Sequence, residues 1–341
     1  MQQLTFVAPG QIEFREVPAP RIEDGKQALV RPLAVARCDL DFVFARGKAP
    51  IAGPFALGHE CIGEVLEVGD LVTSVEPGDR VVVPFQINCG ECARCRSGQT
   101  GSCSALPKLA AFGLAPLSGV EYGGALSDVL RVPFADAMLV RLEPDTDPVH
   151  AAALADNAID GFRTVYEPLT RLPGGAVLVA GGGAPSVALY AVAAARALGA
   201  TEVVYVDPSE ERGRVAENLG ARVVRERCAP ALRIGRFPIV VDATGREEGL
   251  RFCLSSVDAW GTCTSVGIYF GEVSMPLYDM YTRGVRFLTG RVDARRDLPA
   301  ALALAGRGAF ALAPVVTRLV AWEEAAGAWL EPATKLVVEA R

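Results

Sequence analysis

The stretch covering residues 176–207, AVLVAGGGAPSVALYAVAAARALGATEVVYVD, limits the fold more than any other part of this 341-residue chain. An apolar strand candidate at 177–180 precedes three glycines, an alanine-rich helix candidate runs to Gly199, and a second strand candidate covers 203–206. Two parallel strands joined by a helix form a βαβ unit. Because such units assemble into parallel sheets with helices on both faces, the stretch predicts a doubly wound α/β domain.

Strand and helix signals divide the whole chain into three predicted regions. Residues 1–147 contain β-branched segments broken by Gly, Pro and Asp, which are typical of an irregular antiparallel β domain. Residues 148–288 alternate strands and helices, with further strand candidates near 238–244 and 262–269, so the parallel sheet extends beyond the first βαβ unit. Residues 289–341 carry helix candidates and a final strand, which we expect to return to the first domain.

Charge and hydropathy exclude two classes of partner. The formal net charge is −6 at pH 7 and the chain has no run of basic residues, so binding of nucleic acid through its phosphates is not expected. No apolar stretch reaches the roughly 18 residues that a membrane helix needs. The N-terminal residues have no charged leader with an apolar core. We therefore expect a cytoplasmic protein with a small-molecule substrate.

Four of the nine cysteines lie in one short segment, CGECARCRSGQTGSC, with the spacing C-x2-C-x2-C-x7-C. In a reducing compartment clustered cysteines bind metals more often than they form disulfides, and an odd total excludes complete pairing within one chain. Four thiolates at this spacing can enclose one tetrahedral Zn²⁺ and leave no open position for substrate. The alternatives are reduced thiols without a ligand or a redox C-x-x-C pair. We predict a structural zinc in a lobe at 88–104, bound by Cys89, Cys92, Cys95 and Cys103.

The glycine-rich turn lies between a strand and a helix, the context that a dinucleotide pyrophosphate requires. Gly181 would permit a tight turn and Gly183 a close approach to phosphate, while the helix N-terminus offers free N–H groups. Ser186 replaces the third glycine of G-x-G-x-x-G, a position that serves helix–strand packing. A plain strand–turn–helix is the alternative. The predicted pyrophosphate-binding turn comprises Gly181, Gly183, Ala184, Pro185 and Ser186.

Asp207 ends the second parallel strand, about 20 residues after the glycine turn. A carboxylate at this position accepts hydrogen bonds from both ribose hydroxyls and repels a 2′-phosphate, which predicts NAD as the cofactor and not NADP. NADP stays open because of two neighbouring cations. The cations Arg212 and Arg214 both follow closely and complicate the choice. Separately, Asp207 precedes Pro208, and a helix cap is the alternative role for its carboxylate. We include Arg212 among the cofactor-binding candidates.

A second metal site is indicated by residues far apart in the chain. His59 lies in GHECIGEVLEVGDLV, flanked by glycines, and Cys38 lies upstream in ARCDLD. A catalytic zinc needs three protein ligands and one open position. Asp156, in AAALADNAIDGF, is the candidate for the third ligand, since a cleft near the domain junction would bring metal and cofactor together. Taken alone, the three residues also fit a buried thiol, a core histidine and a helix-start carboxylate, and His150 is interpreted as structural.

Together these residues resemble the zinc-dependent medium-chain dehydrogenase/reductase family, which includes alcohol, sorbitol and threonine dehydrogenases. The family signature G-H-E-x2-G-x5-G-x2-V is met by residues 58–72, and the similarity runs nearly end to end. The resemblance implies a GroES-like irregular β catalytic domain followed by a Rossmann cofactor domain with a doubly wound parallel sheet. It also implies that Cys38, His59 and Asp156 bind a catalytic zinc, so that each chain holds two zinc ions.

The resemblance assigns roles to further residues. Glu60 matches a carboxylate that approaches the metal during ligand exchange, and Asp41 matches an acid that orients the ligand histidine. The runs VVDATG and SVGIYFGEV resemble the family's cofactor domain, so Val266 and Gly267 join the cofactor-binding candidates. The implied reaction is hydride transfer between an alcohol or polyol and NAD, with zinc stabilising charge on the substrate oxygen. Relatives are dimers or tetramers, and we expect a homodimer or homotetramer.

One part of the resemblance fails. Many members carry Thr or Ser two residues after the first zinc cysteine, and often His three residues beyond, at the start of a proton relay; this chain has Leu40 and Val43. The proton then leaves through Glu60, through water or by a hydroxyl of the substrate, or turnover is slow or lost. Three hypotheses follow: an NAD-dependent alcohol or polyol dehydrogenase, an NADPH-dependent carbonyl reductase on the same fold, or a catalytically impaired relative that binds nucleotide and zinc.

Overall fold

The computed structural model describes residues 1–49 and 51–340. The strands are β1 (Gln2–Ala8), β2 (Gln11–Glu16), β3 (Ala28–Ala36), β4 (Phe55–Ala56), β5 (Glu60–Val68), β6 (Arg80–Val83), β7 (Leu130–Val132), β8 (Val140–Arg141), β9 (Val177–Ala180), β10 (Val203–Val206), β11 (Arg222–Val224), β12 (Phe237–Asp242), β13 (Val257–Ser265), β14 (Arg286–Thr289), β15 (Arg318–Ala321) and β16 (Leu336–Glu339).

The helices are α1 (Asp39–Ala45), α2 (Ala93–Arg96), α3 (Ala115–Ser118), α4 (Ala135–Met138), α5 (Pro148–Ala151), α6 (Asn157–Arg171), α7 (Pro185–Ala197), α8 (Glu210–Asn218), α9 (Glu247–Ser255), α10 (Leu277–Arg283), α11 (Ala294–Ala305) and α12 (Ala325–Ala328). Short 3-10 turns cover Thr100–Ser102, Ala152–Ala155, Ala313–Val315 and Trp322–Glu324. Among the described residues, no helix combines the length and the apolar character needed to cross a bilayer.

Residue contacts divide the chain into two compact units. The first unit comprises the described residues of Met1–Ile159, Asp293–Gly306 and Val316–Arg341, and the second comprises Asp160–Val292 and Arg307–Val315. These limits lie later in the chain than the boundaries predicted after residues 147 and 288. The reason is packing: α5 and the 3-10 turn that follows it contact β3 and β5, which belong to the first unit.

The second unit contains a six-stranded parallel sheet in the order β11-β10-β9-β12-β13-β14. Numbered along the chain, this is the order 3-2-1-4-5-6 of a doubly wound dinucleotide-binding fold, so the predicted α/β architecture is confirmed. Every residue of β9 and β10 is buried, because helices cover both faces of a sheet of this type. The strand order reverses between β9 and β12, which is where such folds bind their ligands.

The first unit is built from strands that are mostly antiparallel. One sheet has the order β15-β16-β3-β5-β6-β8, with β7 paired to β3, and a smaller sheet has the order β2-β1-β4. Phe44 of α1 packs against Phe6 and Phe55 of the smaller sheet, and all three side chains are buried. The central pair, β3 with β5, is antiparallel with Ala36 opposite Glu60. This register brings the end of β3 next to the start of β5.

Candidate metal and cofactor sites

The four lobe cysteines converge on one point. Cys92 precedes helix α2 and Cys95 lies within it, while Cys89 and Cys103 lie on either side in the chain. Their sulfur atoms are separated by 3.4 Å (Cys92 to Cys95), 3.9 Å (Cys92 to Cys103) and 3.6 Å (Cys103 to Cys89). Four thiolates around one tetrahedral zinc, at bond lengths of about 2.3 Å, have sulfur separations of about 3.8 Å. The spacing fits one zinc ion, and all four cysteines are free thiols.

Neighbouring residues prepare and anchor this lobe. A hydrogen bond with Ser104 is the main cause that lowers the pKa of Cys92 to about 5, whereas burial raises the pKa of Cys95 and of Cys103. The hydroxyl of Thr100 and the amide of Gly101 donate hydrogen bonds to Asp293, which directly precedes α11. The lobe is thereby tied to a later segment of the same compact unit.

The second cluster is assembled from three distant segments of the first unit. Cys38 follows β3, His59 precedes β5, and the pairing of the two strands places these residues side by side. Asp156 follows the 3-10 turn that packs against both strands. One donor atom from each of Cys38, His59, Glu60 and Asp156 lies within 4.8 Å of the others, and all four side chains are buried. The predicted ligands therefore meet in one place.

The imidazole of His59 lies between two carboxylates. Its Nε2 is 3.4 Å from Oδ2 of Asp156, which fits two ligands of one tetrahedral zinc at bond lengths of about 2.0–2.1 Å. Its Nδ1 is 3.6 Å from Oδ1 of Asp41, whose Oδ2 accepts the amide of Cys38 at 3.1 Å. Burial lowers the pKa of His59, but the charges of Asp41 and Asp156 outweigh burial and raise the pKa to about 9. Each ring nitrogen thus faces one carboxylate.

A buried ion pair adjoins this cluster. Lys335 lies directly before β16 and is fully buried, and its Nζ is 2.7 Å and 2.6 Å from the two carboxylate oxygens of Glu60. The same Nζ donates to Oδ1 of Asn157 at 2.7 Å and to the carbonyl of Arg37 at 3.0 Å. Burial raises the pKa of Glu60 to about 8, although the Lys335 charge acts in the opposite direction. The ammonium holds the Glu60 carboxylate in place.

Sequence reasoning missed Asn157 and Lys335. Asn157 is the first residue of α6, and its Nδ2 donates to Sγ of Cys38 and to Oδ2 of Asp156, each at 3.4 Å. One signal was present in the sequence: Lys335 is one of only four lysines in the chain and stands in the apolar stretch TKLVV. A cation beside a buried apolar strand requires a partner, but the sequence does not say which acid or amide provides it.

The glycine turn leads from β9 into α7. Gly182 has φ 153°, a conformation that favours glycine, whereas Gly181 does not adopt a positive φ. A Cβ added to Gly181 would lie 2.5 Å from Oη of Tyr205, and one added to Gly183 would lie 2.8 Å from the carbonyl of Thr244. Gly181 therefore does not serve the turn through a positive φ, and its role in a tight turn stays a prediction. The space beside the Cα atom of Gly181 must stay free of a side chain because Tyr205 of β10 packs there.

The turn is joined to the neighbouring loop after β12. The amides of Gly183 and Ala184 donate to the carbonyls of Thr244 and Ala243, each at 3.0 Å. Pro185 then starts α7, where its missing N–H costs no helical hydrogen bond, and the side chain of Ser186 is fully buried. The predicted turn therefore lies at the reversal of strand order, next to the end of β12.

Asp207, at the end of β10, is fully buried and heavily hydrogen-bonded. Its Oδ2 accepts bonds from Oη of Tyr205 at 2.9 Å and from Nε of Arg212 at 2.8 Å. Its Oδ1 accepts bonds from Nη2 of Arg212 at 2.7 Å and from the amide of Ser209 at 2.8 Å. Two predicted cofactor residues are thus paired with each other, and the Arg212 side chain stays 25 % exposed.

The remaining predicted cofactor residues follow β13. The amide of Val266 donates to the carbonyl of Asp242, the last residue of β12, at 2.9 Å. A Cβ on Gly267 would lie 3.1 Å from Cα of Gly245 in the loop after β12. The carboxylate of Asp242 is buried and accepts the hydroxyl of Tyr269 at 2.7 Å. Val266 and Gly267 therefore lie at the same sheet edge as the glycine turn.

Comparisons with known proteins agree with this geometry. The family model described as alcohol dehydrogenase GroES-like domain matches residues 24–143, and the model described as zinc-binding dehydrogenase matches residues 186–307. The first range contains both the lobe cysteines and three residues of the second cluster, Cys38, His59 and Glu60. The second range begins within α7 and covers the sheet strands that follow β9.

Individual relatives match over most of their length. Zinc-type alcohol dehydrogenase B of Aspergillus flavus is 29 % identical over 317 residues, covering 89 % of this chain and 72 % of the relative. The alcohol dehydrogenase of Geobacillus stearothermophilus is 29 % identical over 307 residues, covering 87 % and 86 %. The structure of an alcohol dehydrogenase from Thermus sp. ATN1 superimposes with a TM-score of 0.90 at 29 % identity and covers all of both chains. The resemblance seen in the sequence is confirmed: this chain belongs to the zinc-dependent medium-chain dehydrogenase/reductase family.

Proposed function

We propose that this protein is a dehydrogenase that transfers a hydride between an alcohol or polyol and NAD, with two zinc ions in each chain. The meeting of Cys38, His59 and Asp156 in one buried place carries the proposal. A thiolate, an imidazole and a carboxylate are donors that catalytic zinc sites use, together with one position left open for water or substrate. The family supports an oxidoreductase, and the substrate class, the cofactor and the number of metals are our inference.

The chain's own residues then have distinct tasks. Cys38, His59 and Asp156 would hold the catalytic zinc, which supplies a Lewis acid that lowers the pKa of an alcohol and stabilises charge on a carbonyl oxygen. Asp41 faces Nδ1 of His59 and keeps Nε2 directed at the donor cluster. The four lobe cysteines would hold a structural zinc that performs no chemistry, because their geometry leaves no open position.

The proton route of this protein differs from that of family members with a Ser or Thr relay. Leu40 and Val43 lie on α1 and carry no transferable proton. Lys335 holds the Glu60 carboxylate beside the donor cluster. An acidic group therefore lies near the site, and it need not occupy the fourth ligand position. A polyol would also supply a second hydroxyl of its own. These features support an alcohol or polyol as the substrate class.

We propose NAD as the cofactor because a carboxylate, Asp207, directly follows β10, where ribose hydroxyls bind in this fold. NADPH-dependent carbonyl reduction is the second candidate, and the Asp207–Arg212 ion pair favours it. Arg212 neutralises the carboxylate and would offer a 2′-phosphate a bidentate partner. With NAD as the true cofactor, Asp207→Ala weakens NADH binding and Arg212→Ala leaves the preference unchanged. A loss of NADPH binding in Arg212→Ala would reverse the assignment.

A homodimer or homotetramer is also part of the proposal. Strand β14 is the edge of the six-stranded sheet, and an edge strand can pair with the same strand of a second copy across a two-fold axis. Large apolar side chains near it are exposed, with 77 % of Trp260, 82 % of Tyr278 and 83 % of Tyr281 accessible. An exposed apolar group of this size supports contact with another copy. Sedimentation at micromolar concentration tests this, and a monomer contradicts it.

A cytoplasmic location completes the proposal. All nine cysteines are free thiols, although the sulfur atoms of four of them lie within 4.8 Å of one another. Such clusters stay reduced in a compartment with a thiol-reducing pool, where they bind metal. Expression in an oxidising compartment should therefore yield disulfides within the lobe and less bound zinc, as free-thiol titration would show.

The activity is tested by a panel of alcohols, polyols and amino alcohols with NAD, followed through NADH absorbance. Cys38→Ala serves as the paired control, since it removes one donor of the second cluster and leaves the lobe intact. Turnover that depends on Cys38, together with about two zinc ions per wild-type chain, supports the proposal. Equal activity in the two proteins would contradict it, and so would a wild-type protein with one zinc ion.

A further inference from the structure

Asn157 makes polar contacts at both ends of its amide that no role described so far explains. Its side chain is 3 % exposed. The amide oxygen accepts Nζ of Lys335 at 2.7 Å and the amide of Asp39 at 3.3 Å. The amide nitrogen donates to Sγ of Cys38 and to Oδ2 of Asp156, each at 3.4 Å. One side chain therefore bridges a buried cation and two metal-binding donors.

The hydrogen-bond donors of Lys335 determine the orientation of the Asn157 amide. An ammonium group has three donors and no acceptor, so the atom of Asn157 that faces it has to be the oxygen. The other end then presents N–H groups to the sulfur and the carboxylate. Lys335 is fully buried and paired with Glu60, and leaving that place would strand a buried charge. The ion pair thus fixes the orientation of the amide.

We propose that Asn157 is a positioning residue for the metal-binding pair Cys38 and Asp156, and that Lys335 holds its amide in the orientation that serves them. This inference rests on the proposed zinc site. N–H donors draw electron density from a thiolate and a carboxylate, so the pair neutralises a bound ion less completely and the ion stays a stronger Lewis acid. The same bonds hold sulfur and oxygen at a separation that suits one ion.

The test compares the two metal clusters of one molecule, with the lobe as the internal control. Asn157→Leu keeps the size of the side chain and removes both polar atoms. The zinc-loaded variant is exposed to a chelator, and bound zinc per chain is measured over time. Because the lost positioning of sulfur and carboxylate should outweigh their gain in electron density, we expect the ion of the second cluster to bind about 10- to 100-fold more weakly, while the lobe ion leaves at the wild-type rate. Loss of both ions at wild-type rates would overturn the proposal.

Two controls accompany this measurement. Thr164→Val removes a buried hydroxyl from the same helix, α6, whose only described bond is to the carbonyl of Gly161, and it should leave both ions at wild-type rates. Asn157→Ala replaces the leucine variant if leucine prevents folding. A thermal unfolding scan of each variant shows whether faster metal loss reflects a weakened fold, which would contradict the proposal.

Cobalt substitution gives a readout that does not depend on turnover. Removing the N–H donor to Cys38 leaves the sulfur richer in electrons, so the thiolate-to-cobalt absorption band of Asn157→Leu should move to longer wavelength. The difference spectrum against wild type cancels the band of the lobe, which the substitution does not touch. An unmoved band would show that the amide exerts no influence on the sulfur and would overturn the electronic part of the proposal.

The role of Lys335 is tested by coupling. Lys335→Met combined with Glu60→Gln removes both charges of the ion pair and avoids a lone buried charge. This double variant should weaken metal binding at the second cluster, because it frees the Asn157 amide to rotate. Adding Asn157→Leu to the double variant should then change metal binding by less than about twofold. Fully additive losses would refute the orienting role of Lys335. A wild-type protein that binds both ions but oxidises no alcohol would contradict the proposed function alone.

Discussion

The two metal-binding clusters of this protein are constructed in opposite ways. The lobe takes its four donors from residues 89–103, where one short helix and two turns bring the sulfur atoms together. The other cluster takes its donors from Cys38, His59 and Asp156, which meet because β3 pairs with β5 and a 3-10 turn packs against both. A local segment suffices for the first cluster, whereas the second requires the folded core of the whole unit.

The two clusters also differ in how deeply their surroundings are buried. Three of the lobe cysteines, Cys89, Cys92 and Cys103, are partly exposed, and Cys95 is the one buried residue of the segment 89–103. In the second cluster every donor is buried, and a Lys335–Glu60 ion pair lies beside it. The lobe should therefore depend on its ion for structure, while the second site should keep its structure and use its ion for chemistry. The predictions below separate these two dependencies.

The largest expected effect is on turnover. His59→Ala removes a donor and with it the Lewis acid, which contributes several kcal/mol of transition-state stabilisation, so turnover should fall about 10³-fold or more. One zinc ion per chain and the unfolding temperature should be retained. His150→Ala is the matched control, because His150 is half-exposed and faces Asp147 at the surface, outside both clusters. Steady-state kinetics and metal analysis measure both effects. Equal losses of turnover and zinc in His59→Ala and His150→Ala would contradict this prediction.

The next effect is on stability. Cys103→Ser removes a lobe donor, and loss of a structural metal belongs to the changes that cost about 4 kcal/mol or more of unfolding free energy. We expect a lower unfolding temperature, faster proteolysis within 88–104 and one retained zinc ion, with turnover per folded molecule changed less than about tenfold. Cys263→Ala, at a buried cysteine outside both clusters, should keep both ions. An unchanged protease pattern for Cys103→Ser would show that the lobe does not need its ion.

A smaller effect is expected at the glycine turn, where the second unit offers a site without metal donors. Gly181→Ala places a Cβ against Tyr205 and displaces its hydroxyl from Asp207. Overpacking of about 1–3 kcal/mol should weaken NADH binding roughly tenfold or more, while both zinc ions stay bound. Gly271→Ala is the control, since its added Cβ meets no atom within 4 Å. Fluorescence titration with NADH measures the change in affinity. A loss of zinc from Gly181→Ala would contradict the expectation that the glycine turn and the metal clusters are independent.

The smallest effect concerns acid sensitivity outside both clusters. Burial acts to raise the pKa of Asp136, but hydrogen bonds from Ser74 and Thr73 outweigh it and lower the pKa. Its stabilisation is therefore present above the ordinary value of 3.8 and is lost as the pH falls through the lower folded-state value. Asp136→Asn should unfold slightly earlier than wild type at neutral pH, and this difference should shrink in acid. A constant difference from pH 7 to pH 3 would contradict it.

The sequence predicted most of the second unit because parallel strands leave strong local signals. The candidates at 177–180 and 203–206 coincide with β9 and β10, whose residues are all apolar or aromatic and fully buried. The strand expected near 262–269 was less accurate, since β13 runs from Val257 to Ser265. Its first half carries exposed Asp258, Ala259 and Trp260, so no apolar run marks where it begins.

Spacing along the chain was enough to group the lobe cysteines, to locate the glycine turn and to identify the family. Donors a few residues apart can reach one ion whatever the rest of the chain does, since short loops leave few arrangements. Only the tertiary structure decided that Lys335 lies against Glu60 and Asn157, that Arg212 neutralises Asp207, and that Tyr205 is what Gly181 makes room for. Which distant charges share one buried space depends on how strands and helices pack, and no local pattern records that choice.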